Sequence, residues 1–499
     1  MKPLVAFAAI AAWLLYFAHG GLQAGLSGDD LMNLYGYLQK PAPTLLLDTL
    51  RFWSTAYRPL GALFYIPLYK LFGMNPLPYR IACFTILGLN LVLLYHFCAR
   101  LTNSREIAFL ATFLASYHAW FVDLYYSAGT IYDLLCYALY LSAFLVYTGI
   151  RGRGGTPGAR GLIAVGVLYV LALDAKEMAV TLPLFLLLYE LVFHSAALRH
   201  PRRWIVREAR AVWLTGAITL VYIAGKLTGP GSLVENPAYA LTISPGRFLK
   251  TFHLYLNPLL YQEHWFHDSN TVQLLVGMLA LAVWRRSRVL LFAWFWLLLT
   301  ILPVSFIAHY AAFFEYLPAA GWALYAATLL VMARHAFLRL LPRALARGPM
   351  LERTSQAVLF LGLAAFLAPL DARQAPKTLK LFMSVQPPSS QLAENLSRLR
   401  PALRRGARIL FVDDPFPQDS YSLLFVTRLF YRDMTLNVER TQTQAAPPSE
   451  YSRYDAVFEF RGSRLILLSG VNRYRSNVQR ASKPSRARIF LPCAIPRAL

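Results

Sequence analysis

Apolar blocks of roughly 15–25 residues recur along this chain, each long enough to cross about 30 Å of hydrocarbon as a helix. Inside lipid the backbone must satisfy its own hydrogen bonds, so such blocks fold as helices. A strand barrel would give short alternating segments instead. The composition agrees: 57% of the 499 residues are hydrophobic, above the roughly 45–50% of a soluble domain. The expected fold is an all-α polytopic membrane protein.

The formal net charge of +24 raises nucleic acid as a partner. Its distribution argues otherwise. Most of the arginine lies in short runs between apolar blocks, where cytoplasmic loops carry it, and no run joins a nucleic-acid-reading motif. No nucleic-acid partner is expected.

The same runs set the topology. Basic clusters stand at Arg100/Arg105, at Arg151, Arg153 and Arg160, from Arg199 to Arg210, at Arg285, Arg286 and Arg288, and from Arg334 to Arg353. Neighbouring clusters on one side must be separated by an even number of crossings. Paired spans fit near 106–122 and 130–150, 161–174 and 178–195, 209–227 and 271–284, and 289–308 and 315–334. A first span runs from Pro3 to His19; it has the length of a signal peptide but no A-x-A-like boundary, so it is expected to remain. A return span covers 81–100 and a last span near 355–370 exits outward.

The stretch 58–72 carries Arg58, Pro59, Pro67 and Lys70, and reads as an interfacial or re-entrant helix on the outer side. A true crossing there would reverse every later loop, against the basic clusters. The expectation is about eleven spans with the N-terminus inside and the C-terminus outside. It divides the chain into a transmembrane domain, 1–370, with outer loops 20–80 and 228–270, and an extracytoplasmic domain, 371–499.

In that C-terminal domain Ser389–Arg405 and Leu423–Tyr431 read as helices, Arg408–Asp413 as a strand, and Ala456–Leu468 as a hairpin around Gly462. The result is a small α/β module. Of four cysteines, Cys83, Cys98 and Cys136 sit in apolar blocks and Cys493 stands alone, so neither a disulfide framework nor a zinc spacing is present.

The chemistry-bearing residues gather beyond the outer ends of the spans. Gly28-Asp29-Asp30 follows the first span; adjacent carboxylates near lipid are costly. They read either as the cap of an interfacial helix or as a general base or metal ligand at the membrane surface. Asp123 reads as a solvated loop residue, and Asp133 as a carboxylate in need of a cationic or hydroxyl partner. Asp174, Lys176 and Glu177 crowd a very short turn, and a lysine in a partly dry site suits a phosphate.

Further along, Glu263-His264-x-x-His267-Asp268 has a spacing that allows a metal pair on one helical turn, although its aromatic neighbours fit an interfacial belt equally well. Arg247, Lys250 and His253 share one helical side, suited to a phosphate or to lipid headgroups. His309 and Glu315 flank a short outer turn and read as structural.

Several short pieces, in order, resemble the GT-C glycosyltransferases, above all the protein O-mannosyltransferase group and its polyprenyl-phosphate-sugar-dependent relatives. They are Asp29-Asp30 after the first span, Tyr57-Arg58-Pro59-Leu60 with its apolar helix, and Tyr79-Arg80 opening a span. Tyr132-Asp133-Leu134-Leu135, Ala175-Lys176-Glu177 with Thr181-Leu182-Pro183, and Tyr316-Leu317-Pro318 with Gly321 follow. Together they cover about the first two-thirds of the chain.

The resemblance implies a donor sugar on a polyprenyl phosphate, transferred with inversion on the extracytoplasmic face to a protein, lipid or glycan acceptor. It makes Asp29 and Asp30 the catalytic pair, with a divalent cation such as Mg or Mn as a candidate cofactor. It places Arg58, Arg80, Asp133, Lys176, Glu177, Arg247, Lys250 and Tyr316 at the substrate. Asp29, Asp30, His264 and His267 are the metal candidates. One departure stands out: Phe313, Phe314 and Glu315 occupy the place where the family often has a basic residue before Tyr-Leu-Pro. The expected location is a bacterial plasma membrane, with the endoplasmic reticulum as the alternative. A transporter or lipid flippase, or a non-catalytic scaffold of a cell-envelope glycan complex, are the competing readings.

Overall fold

The computed structural model describes residues 3–470 except 196–198, 229–231, 233–234, 236–239, 341–348, 385, 387, 400 and 445. Cys493 and the basic stretch after residue 470 lie outside the described residues. The chain forms two compact units divided at 387/388. The boundary expected at 370 falls within a continuous helix.

The first unit is helical throughout. It opens with α1 (Pro3–Ala18), α2 (Gly28–Leu38), α3 (Ala42–Leu50) and α4 (Ala62–Phe72). The long α5 (Pro76–Thr102) leads to α6 (Arg105–Ser116) and the short α7 (Val122–Tyr126). Next come α8 (Ile131–Arg151), α9 (Ala159–Ala175), α10 (Leu182–Phe193), the single turn α11 (Pro201–Arg203) and α12 (Arg210–Leu227). The unit ends with α13 (Pro245–Leu259), α14 (Asp268–Trp284), α15 (Arg288–Thr300), α16 (Leu302–Ser305), α17 (Tyr316–Leu340) and α18 (Pro349–Ser384).

Among the described residues, six helical stretches are long and apolar enough to cross a membrane: Val5–Gln23, Pro76–Thr102, Ala128–Arg151, Arg288–Ser305, Ala312–Leu340 and Met350–Ser384. A bent pair, Arg105–Ser116 with Ala119–Tyr126, makes a seventh if it is one span. This is the architecture of an integral membrane protein. The expected count of about eleven is not reached by this measure. α9, for example, has 17 residues and rises about 26 Å, short of the ~30 Å core. The 11 residues of α4 rise only about 16 Å, too little to cross.

The core of this unit is aromatic. Trp296 of α15 is fully buried, within 4.8 Å of Phe97 and 4.6 Å of Phe185, centroid to centroid. Its indole N–H donates to Leu317 O at 2.9 Å, which satisfies the one polar atom it buries. Gly321 of α17 makes this possible: a Cβ there would meet Trp296 Cδ1 at 2.7 Å.

Long-range contacts fix the direction of the shorter helices. α9 runs antiparallel to α8, with Lys176 paired to Asp133 at one end and Gly161 against Ile150 at the other. α10 runs along the second half of α8, from Thr181, bonded to Tyr140 at mid-helix at 3.2 Å, to Glu190, paired with Arg151 at 2.7 Å. Glu208, just before α12, also reaches Arg151 at 2.8 Å, while Lys226 near that helix's other end donates to Ala56 O at 2.6 Å. Charges therefore segregate. One end carries Asp30, Arg58, Arg80, Asp133, Lys176 and Glu177. The other carries Arg100, Arg105, Arg151, Glu190, Glu208 and Arg334.

The second unit matches the small α/β module expected. α19 (Ser389–Leu399) precedes β1 (Arg408–Val412), α20 (Ser422–Tyr431), β2 (Asn437–Arg440), β3 (Ala456–Arg461) and β4 (Arg464–Gly470). The sheet order is β2-β1-β3-β4. β1 pairs in parallel with β2, Arg408 opposite Asn437, and with β3, Ile409 opposite Ala456. β3 and β4 form the antiparallel hairpin, turning at Gly462 with φ +63°. β2 is the one strand the sequence reading lacks.

Candidate functional site

The site begins with a helix cap. Ser27 stands at the N-cap of α2; its Oγ accepts the Asp30 amide at 3.3 Å, and its own amide donates to Asp30 Oδ2 at 2.8 Å. This reciprocal capping box consumes Asp30. The carboxylate is fully buried, takes a hydrogen bond from Tyr65 OH at 3.2 Å on Oδ1, and lies 3.7 Å from Arg80. Arg80 is equally enclosed; its Nη2 donates to the carbonyls of Gly25 and Tyr126, each at 2.6 Å. Asp30 and Arg80 therefore tie α2, α5 and the segment after α7 together.

Asp29 is different. It is exposed, and among the described residues its carboxylate makes no hydrogen bond or ion pair. Partial burial and then the neighbouring Asp30 push its pKa above the ordinary aspartate value, against the opposing pull of Arg58 and His309. Of the two readings of the acidic pair, the helix cap is seen, made with Asp30, and Asp29 is left over.

Arg58 sits at φ +44° immediately before Pro59, a left-handed conformation that is strained for any residue but glycine. Two contacts hold it there. Tyr37 OH donates to its carbonyl at 2.7 Å, and its guanidinium binds Glu177, Nη2 to Oε2 at 2.9 Å. The Tyr57 and Tyr132 rings lie against it, 4.5 and 5.3 Å from its centre. Burial opposes the Glu177 charge, but Arg58 overrides it and holds the carboxyl below its ordinary value.

Lys176 Nζ donates to Asp133 Oδ1 at 2.5 Å, and both side chains are almost wholly buried. The ammonium also faces the Phe313 and Phe314 rings at 4.4 and 4.7 Å. Burial pushes its pKa down, with Asp133 pulling the other way. The position where the resembled family has a base is thus an aromatic wall that the lysine leans on.

Arg58, Lys176 and Glu177 line one cavity of about 120 Å³. Its remaining wall is apolar and includes Leu227, Leu241, Pro303, Val304 and Phe314. Asp29 is not among the lining residues, but it is within electrostatic reach of Arg58 and His309. His309, read from sequence as structural, belongs to this end too. Burial and then Lys176 hold its imidazole below the ordinary value, with Asp29 opposing. Asp123, read as a solvated loop residue, is half-buried within reach of both Asp29 and Asp133.

The other expected substrate residues stand apart. Tyr316 is buried against Tyr137, ring centroids 4.5 Å apart, with its OH bonded to Asn90. Arg247 donates to Ile307 O at 2.5 Å, bracing the segment that carries the cavity wall, and Lys250 is exposed on α13. His264 and His267 are exposed near the start of α14, where His267 is the N-cap.

No group of three or more His, Cys, Asp or Glu that could hold a metal ion occurs among the described residues. Both Asp30 oxygens are already bonded within the protein. The described residues by themselves form no all-protein cage for a divalent cation. No protein-family model matches the chain, and no curated protein matches it.

Proposed function

We propose that the chain is a membrane glycosyltransferase that moves a sugar from a polyprenyl-phosphate-linked donor to an acceptor hydroxyl on the extracytoplasmic face, with inversion. The observation that carries the reading is an exposed Asp29, of raised pKa and unpaired among the described residues, within electrostatic reach of Arg58, which with Lys176 lines an apolar-walled cavity. A carboxylate of raised pKa is a better proton acceptor than an ordinary one. Arg58 spends Nε and Nη2 on Glu177, and Lys176 spends one of its three N–H donors on Asp133. Each has donors left for a phosphate oxygen.

In the proposed step the acceptor oxygen attacks the anomeric carbon as the bond from that carbon to the phosphate oxygen breaks. The acceptor's proton passes to Asp29, and the negative charge on the departing lipid phosphate is taken up by Arg58 and Lys176. Fixed cations in a water-poor site stabilise such developing charge more than they would in water. No step runs through a metal.

The topology that goes with this reading has eleven crossings. α9, α12, and α10 together with the turn Glu177–Thr181 before it, extend between the same two ends as α8, which is itself of crossing length, and α14 completes the set. The arginine-rich end is cytoplasmic by charge, so the site opens on the opposite leaflet and the domain after α18 lies outside.

Glycolipid and glycan profiles of cells carrying the wild-type chain, the Asp29→Asn variant or no gene test the reading. Loss of one product in both the deletion and the variant, at normal protein level, is expected. A deletion that leaves every glycan unchanged rejects the enzyme in favour of a transporter or scaffold.

A further inference from the structure

At the arginine-rich end, remote from the site above, a second cavity of about 630 Å³ opens between α1, α5, α6 and α18. Its wall is apolar and aromatic, with Phe109, Phe360, Leu361 and Tyr95, and its polar lining includes Arg105 and Arg353. Among the described residues neither arginine makes a hydrogen bond or ion pair, and both are exposed.

The acidic groups nearby are already committed. Glu106 accepts Arg334 Nη2 at 2.7 Å and Gln356 Nε2 at 3.3 Å, and Glu352 lies 3.4 Å from the same Arg334. The rim therefore carries three arginines against two glutamates, a small net positive charge, and Arg105 and Arg353 are the two guanidiniums with no partner among the described residues. Buried Arg334 of α17 ties Glu106 of α6 to the exposed Glu352 of α18.

We infer that this cavity binds an anionic glycerophospholipid of the arginine-side leaflet, its phosphate between Arg105 and Arg353 and an acyl chain against Phe109, Phe360 and Leu361. Charge selects the occupant. A zwitterionic headgroup brings its own cation toward two unpaired guanidiniums, whereas a headgroup with net negative charge does not. Basic pockets between membrane helices on the cytoplasmic side have this selectivity, and Arg matches phosphate geometry with a bidentate fork.

The test uses the full-length purified protein in detergent, titrated separately with phosphatidylglycerol and phosphatidylcholine, with bound copies counted by native mass spectrometry. The wild type is expected to hold one phosphatidylglycerol in preference to phosphatidylcholine. The Arg105→Ala/Arg353→Ala pair should weaken that binding about thirty-fold, from the loss of two surface cations. The Arg105→Lys/Arg353→Lys pair should retain most of it. Equal retention of phosphatidylcholine by the wild type overturns the inference, as does undiminished phosphatidylglycerol binding by the alanine pair. If the alanine pair does not fold, Leu361→Trp carries the test: it fills the wall with both arginines in place, and unchanged binding overturns the inference. None of these readouts depends on sugar transfer.

Discussion

At the scale of single residues, two adjacent aspartates part company: Asp30 is spent on folding, and Asp29 is left for the proposed proton transfer. Asp29 and Asp30 look alike in sequence, and only the capping geometry separates them: a helix of this hand turns the third residue back onto the cap and the second away. That distinction predicts opposite effects. Asp29 has a folded-state pKa above its unfolded value, so its ionisation opposes folding. The penalty is absent below the unfolded pKa and grows as pH rises through the folded one. Asp29→Asn should abolish transfer while leaving thermal stability at neutral pH equal or higher, and the gain should vanish in acid. Asp30→Asn should instead lower the melting temperature, because it weakens the capping box and takes from Arg80 the carboxylate it is paired with. A melting series over pH on both variants, read beside transfer activity, separates them; equal losses of stability would refute the division. The Lys176–Asp133 pair was legible as two residues, each in need of a partner, but not as each other's partner, since 43 positions separate them. Lys176→Met alone should cost about 3–5 kcal/mol by stranding a buried carboxylate. Lys176→Met with Asp133→Leu should recover most of that and remain inactive, a double-mutant cycle measured by chemical unfolding and transfer.

Elements were legible wherever a period or a cap announced them. Uninterrupted apolar length and the flanking arginines mark the long helices, and Gly462 marks the β3–β4 hairpin, because a positive φ at a two-residue turn favours glycine. β2 escaped for a physical reason. Asn437-Val438-Glu439-Arg440 is four residues long and largely polar, and it exists as a strand only because β1 offers it a parallel edge. α4 and the turn before it were legible as an element too short to span, but their purpose was not. The three-residue turn Pro59–Gly61 presents Arg58 to Glu177, and Gly61 packs where a Cβ would meet Tyr132 Cε1 at 2.4 Å and Tyr37 OH at 2.5 Å. Those two tyrosines, bonded to each other at 2.8 Å, seat the Arg58 carbonyl and guanidinium. Gly61→Ala should therefore push the turn outward, cost about 1–3 kcal/mol by overpacking, and reduce transfer by unseating Arg58. Unfolding curves and activity of this one variant check both; full activity would mean that the turn does not position the cation.

For the molecule as a whole, the decisive property is which charges face which side. Chain length and the arginine runs implied the sorting, and the bundle carries it out: Asp133 and Arg151 stand at opposite ends of α8, Arg80 and Arg100 at opposite ends of α5. A helix of crossing length with a buried pair at each end cannot slide through a bilayer without exposing one of them, so the two clusters act as anchors. The Arg151 anchor is the stronger, since it joins two glutamates and, through Glu190, Tyr147 and Trp204. Sidedness is therefore testable with a reagent that reads only water access. The described cysteines, Cys83, Cys98 and Cys136, are buried, so once Cys493 is replaced by serine a single introduced thiol is the only reactive one. Lys40, at the end of α2, should become reactive as Lys40→Cys toward an impermeant maleimide in intact cells. Arg153, after α8, should react as Arg153→Cys only when the membrane is opened. The reverse pattern would place Asp29, Arg58 and Lys176 in the cytosol, where a lipid-linked sugar presented to the outer leaflet is out of reach. Equal labelling of both would mean that the two ends of α8 share one face, and a helix with both ends in the same water cannot hold a donor lipid between them.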